Sequence, residues 1–126
     1  MGVIDMSTAY FVVLNSDDPG FDSFVDGKML THRLEAVNAV ASQLGLKAFE
    51  DYAFQDLSEY GGPDLDVQWF DADEGMNWAG SLRRHLLDNP GAIADADAVV
   101  QDLDDYFRVF EEAGKRALKW HLELDF

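Results

Sequence analysis

Cysteine is absent from the 126 residues, which excludes disulfides, thiolate metal sites and a cysteine nucleophile and fits a reducing compartment. Bases are scarce: nine Lys and Arg stand against 25 Asp and Glu, a formal net charge of -16. Direct binding to nucleic acid is disfavoured, because phosphate contact needs a basic surface, and anionic membranes are disfavoured on the same ground. Long apolar runs are lacking as well. The run Ala9–Leu14 spans six residues, far short of the roughly 20 that a transmembrane helix needs. Residues Met1 to Met6 carry neither a basic region nor an apolar run, so no secretory signal and a cytoplasmic location are expected.

What is present describes a folded domain. The chain is 48% hydrophobic and 13% aromatic, too apolar for a disordered acidic tail. One domain spanning residues 1–126 is expected, long enough to bury roughly two thirds of the surface exposed by its unfolded form.

Ala9–Leu14 is apolar on both faces and rich in aromatic and β-branched residues, as a central strand buried on both sides would be. Asn15–Gly20 reads as a turn, and Phe21–Val25 as a short second strand before Asp26-Gly27. Leu30, Leu34, Val37, Ala41 and Leu44 share one helical face, with Gly45 placed to end the helix. Between Leu46 and Tyr60 the stripe is broken by Tyr52 and Phe54, so a short irregular helix is expected, ended by Gly61-Gly62-Pro63. Leu65, Val67 and Trp69 alternate with Asp66 and Gln68 as in a brief strand.

Asp71 is placed to cap the next helix, with Glu74 reaching back three residues later, and Asn89-Pro90-Gly91 closes it. A further helix begins near Asp95 or Asp97 and gathers Val99, Leu103, Tyr106, Phe107, Phe110 and Ala113 on one face. On its other side Asp104, Glu111 and Glu112 each precede a base, Arg108, Lys115 and Arg116, by four residues. Leu118, Trp120, Leu122, Leu124 and Phe126 then alternate with Lys119, His121, Glu123 and Asp125, a strand with one buried and one wet face. The fold class expected is α+β: a small mixed or antiparallel sheet of three to four strands, packed on one face by three to four helices.

Catalytic signatures are missing. Neither a Gly-x-Ser-x-Gly elbow, a Walker loop nor a Gly-x-Gly-x-x-Gly fingerprint occurs. The three histidines lie near acids (His32 with Glu35, His85 with Asp88, His121 with Glu123), but none belongs to a His-x-x-x-His or Glu-x-x-His pair. Asp71-Ala72-Asp73-Glu74-Gly75 opens like a calcium loop, yet Gly75 stands where the third ligand belongs. No metal or cofactor is therefore expected. A small metal-assisted hydrolase built on His85 or His121 with neighbouring carboxylates is the competing enzymatic reading.

The feature left over is a base-free segment. From Ala48 to Leu82 there are nine carboxylates and no Lys or Arg. Such a run serves either as a solvated or salt-adapted face or as a docking surface for a basic protein, with carboxylates steering association and an aromatic residue anchoring it. The expectation is a non-enzymatic acidic binding protein contacting a basic protein surface. Its contact residues are Glu50, Asp51, Asp56, Glu59, Asp64, Asp66, Trp69, Asp71, Asp73 and Glu74, with Trp78 or Tyr60 as further anchors. In charge and size the chain is similar to bacterial immunity proteins that block nuclease toxins. The phrases Val25-Asp26-Gly27-Lys28, Trp69–Gly75 and Trp120–Phe126 resemble those of small bacterial proteins without an assigned activity, a resemblance that implies no substrate, cofactor or site residue.

Overall fold

The computed structural model describes residues 9–53 and 68–125. The apolar run at the start forms strand β1 (Ala9–Leu14), and the alternating segment at the other end forms β2 (Trp120–Asp125). They pair antiparallel, with Val12 opposite Leu122 and Leu14 opposite Trp120. Between them lie helices α1 (Lys28–His32), α2 (Leu34–Gln43), α3 (Ala72–Asp88) and α4 (Ala96–Lys115), with a 3-10 turn at Phe49–Tyr52. The chain is thus α+β, with four helices and a two-stranded antiparallel sheet among the described residues.

Several expectations are corrected. Phe21–Val25 is not a strand, because the carbonyls of Asp22 and Phe24 accept hydrogen bonds from the Arg108 guanidinium, at 2.8 and 2.9 Å, instead of from a neighbouring strand. The Leu65–Trp69 strand lies largely outside the described residues. Just beyond it, Phe70 makes one antiparallel bridge to Trp120, and Ala53 makes a parallel bridge to Leu122. β2, rather than β1, is therefore flanked on both sides. β1 also leaves Phe11 exposed, whereas His121, expected on the wet face of β2, is buried.

The helix expected over Leu30–Leu44 divides at Arg33. Its backbone leaves the helical basin while its guanidinium reaches Asp95 at the start of α4. Gly45 ends α2 as expected, with a φ of 74°. Asp71 flanks α3 without a side-chain cap, so the capping box does not form. On α4 the Glu112–Arg116 pair forms, but Asp104 pairs with Arg83 of α3 and Lys115 pairs with Glu112.

Packing follows from the apolar stripes. α3 and α4 run antiparallel in close contact: a Cβ at Gly75 would lie 2.7 Å from the Phe110 ring, and one at Gly114 would lie 3.3 Å from Ala72. The core beside them is aromatic. Phe49 stacks on Trp78 at 4.8 Å and meets Tyr10 and Tyr106 edge-on, while Tyr52 contacts Phe70 and Trp120. These geometries strengthen burial that is already large for such side chains.

α4 also fixes the short α1. The buried carboxylate of Asp102 accepts the Leu30 amide at 2.9 Å, satisfying a first-turn N–H that α1 cannot satisfy itself. One turn on, the Tyr106 hydroxyl donates to the Tyr10 carbonyl, and it lies 2.1 Å from where a Cβ on Gly27 would sit. Gly27 also has a φ of 61°. Gly27→Ala is therefore expected to lower stability in urea by about 2–4 kcal/mol. Gly45→Ala, at a similar φ but with nothing within 4 Å, should lose about 1 kcal/mol.

Burial raises the Asp102 pKa above its ordinary 3.8, opposed by the Leu30 and Met29 amides and reinforced by Asp26 and Asp105. The folded chain then holds this proton to higher pH than the unfolded chain. The stability contribution of Asp102 is largest below pH 3.8 and declines as pH rises through the folded value. Asp102→Asn keeps an oxygen for Leu30 and should gain stability relative to the parent at pH 7 but not at pH 3. Asp102→Ala should lose about 1–2 kcal/mol through the missing cap. Urea titrations of both variants at the two pH values check this.

Candidate functional site

One acid of the base-free segment, Glu74, is tied to the aromatic core through Tyr52. Tyr52, the last residue of the 3-10 turn, puts its ring among Phe70, Trp78 and Trp120 and its hydroxyl at the surface, where it donates to Glu74 Oε2 at 2.9 Å. Glu74 belongs to the first turn of α3. This bond ties the turn that carries Glu50 and Asp51 to the helix start that carries Asp71, Asp73 and Glu74, although some 20 residues separate the two groups in sequence.

Lys47 completes this junction. Its Nζ lies 3.3 Å from Glu74 Oε2 and sits over the rings of Tyr52 and Phe70, at 5.5 and 5.3 Å. Its carbonyl accepts the Trp78 indole N–H at 2.8 Å. Burial first, then the hydrogen bond to Glu74 and the charges of Glu74 and Asp51, raise the Tyr52 pKa well above its ordinary 10.0. The phenol therefore stays protonated and able to donate throughout the neutral range.

The other acids have distinct tasks. Glu50 accepts from Asn38 Nδ2 at 2.7 Å, while the oxygen of Asn38 takes the Phe49 amide. Asp51 accepts the Ala48 amide at 3.2 Å. Asp71 faces Lys119 at 3.3 Å, and its carbonyl accepts the Trp120 indole N–H. Asp73 is exposed, with no ion pair among the described residues. Trp69 lies half-buried over His121, with ring centroids 4.3 Å apart, and His121 Nε2 is 2.9 Å from Glu123 Oε2. Asp56, Glu59, Asp64, Asp66 and Tyr60 lie outside the described residues. Trp78, proposed as an anchor, is instead buried in the core.

Sequence reasoning missed Lys47, Tyr52 and Lys119. Lys47 stands one residue ahead of the base-free segment, a nearness that could have flagged it. Tyr52 fell off the helical stripe for the reason the structure gives: it serves a 3-10 turn, not an α-helix. Nothing local could have tied Lys119 to Asp71.

A second concave region lies toward the other end of α3. A groove of about 530 Å³ is lined by α3 side chains, among them Ser81, Arg84, His85 and Asp88, and by Leu44. Among the described residues no group of three or more His, Asp or Glu could hold a metal ion. No helix among them is long and apolar enough to cross a membrane. No family model, curated protein or solved structure matches the chain.

Tyr52→Phe preserves the ring packing and removes only the hydroxyl. It is expected to lower stability by about 0.5–1.5 kcal/mol, read by urea unfolding, with the near-UV circular dichroism unchanged. Glu74→Gln in the Tyr52→Phe background should add less than it does alone, because the two side chains share one interaction.

Proposed function

We propose that the chain is a non-enzymatic acidic binding protein, of the inhibitor or immunity type, whose partner is a basic protein surface. The observation that supports this reading is the Tyr52–Glu74 hydrogen bond, which ties the turn bearing Glu50 and Asp51 to the helix start bearing Asp71, Asp73 and Glu74, while Lys47 pairs with Glu74 and Lys119 with Asp71. These two stretches carry five carboxylates, and two ammonium groups pair with them, which leaves an excess of negative charge. Such an excess speeds the encounter with a cationic surface and repels anionic ones. Trp69 at the edge of this region supplies apolar area of the kind that anchors interfaces. The same charge disfavours direct nucleic-acid and membrane partners, and a cytoplasmic location fits a chain without cysteine.

The two lysine pairs favour one competing reading, in which the acids only solvate the surface or adapt it to salt. Exposed pairs of this sort contribute little to stability, so the two readings separate on binding rather than on folding. Proteins retained by the immobilised chain at about 0.05 M salt and released at about 0.5 M provide the partner for kinetic measurement. Reversing Asp64, Asp66, Asp71 and Asp73 to Lys is expected to slow association with that partner by about tenfold or more and to flatten its salt dependence, with the thermal midpoint little changed. Association that is equally fast and equally salt-sensitive in the variant assigns the acids to solvation.

A further inference from the structure

Bases are scarce in this chain, nine Lys and Arg in all, and most of them are committed. Arg33, Lys47, Arg83, Lys115, Arg116 and Lys119 each pair with a carboxylate, and Arg108 holds two carbonyls. Among the described residues Arg84 and Lys28 make no such contact. Lys28 stands on open surface, but Arg84 lines the 530 Å³ groove. Arg84 is solvent-exposed, and no carboxylate among the described residues pairs with it although the chain carries a charge of -16, so its guanidinium is open to an external anion.

The floor of the groove points the same way. Gly80 lies in the middle of α3, where glycine weakens a helix. Packing does not require it there: a Cβ would meet Phe107 at 3.5 Å, an ordinary contact, whereas at Gly75 it would strike Phe110 at 2.7 Å. Gly80 lines the groove together with Arg84 and the apolar Leu44 and Met76. Ser81, His85 and Asn77 add hydroxyl, imidazole and amide groups along the same wall. The volume falls in the range of small-molecule sites.

We propose that this groove binds a small monocarboxylate with an apolar tail. The guanidinium of Arg84 takes the carboxylate through its paired N–H groups, the geometry for which arginine is suited, with Ser81 as a further donor. The tail lies along Leu44 and Met76. Asp88 at the end of the groove and the charge of the whole chain oppose a second negative charge, which selects a carboxylate over a phosphate dianion. This site stands apart from the acidic face: Arg84 follows Glu74 by ten residues on α3, about 15 Å along the helix.

Hexanoate and hexan-1-ol, which share a tail and differ in charge, are suitable probes for amide NMR titration of the full chain. Hexanoate is expected to produce saturable shifts at Asn77, Ser81, Arg84 and Asp88, and Arg84→Gln should weaken it by about tenfold. Hexanol should bind parent and variant alike, and Lys28→Gln should leave hexanoate binding unchanged. The proposal is overturned if hexanoate gives no saturable shifts there, if Arg84→Gln binds it as well as the parent, or if Lys28→Gln weakens it equally, since the last outcome reports net charge alone. The fold of each variant is checked by its amide spectrum before titration.

Discussion

The structure depends on one side chain that belongs to two environments. Tyr52 is packed by aromatic rings on its body and bound to a carboxylate at its tip. Burying the ring is favourable by the usual apolar measure, and the hydroxyl avoids the penalty of an unsatisfied polar group by reaching Glu74. Glu74 is in turn held by Lys47, whose ammonium lies over the same rings and whose carbonyl anchors Trp78. Remove the tyrosine and three separate stretches lose their common contact: the 3-10 turn, the first turn of α3 and the loop before Phe49. The acidic face is therefore a consequence of how the core closes, not an appendage to it.

The periodic parts of the fold were legible in the sequence. The stripe Val99, Leu103, Tyr106, Phe110, Ala113 is the buried face of α4, and Trp120 and Leu122 turn inward from β2. Periodicity records which residues are buried, and burial is shared by every member of a long regular element. Failures occurred where a single tertiary contact outweighed local preference. At Arg33 the backbone leaves the helical basin within an otherwise continuous pattern, and the side chain pairs with Asp95. Arg108, expected to serve Asp104 one turn away, instead satisfies the carbonyls of a loop more than 80 residues earlier. His121 is buried because Trp69 covers it, and no pattern within β2 could foretell a cover from elsewhere.

The candidate site was legible only as an excess of charge. Composition and the missing bases located the segment, but they could not tell that Tyr52 bonds Glu74, or that Lys47 pairs with Glu74 and Lys119 with Asp71. The acids then divide by geometry. Glu74 and Asp51 hold the local structure together, and Asp73 carries charge with no structural partner among the described residues.

α3 joins the two regions for which roles are proposed. Acids at its start and Arg83, Arg84 and His85 in its last turns both suit the helix dipole, so its charge asymmetry costs the helix nothing. The central claim is that negative potential is concentrated beside the Tyr52–Glu74 junction. An NMR titration with a short oligolysine peptide, which reports where a mobile cation spends its time, tests that claim most directly. Shifts clustered at Glu50, Asp51, Asp71 and Asp73 and abolished by moderate salt are the expected result; shifts spread evenly over the exposed acids, including Asp17, Asp88 and Asp97, would contradict it.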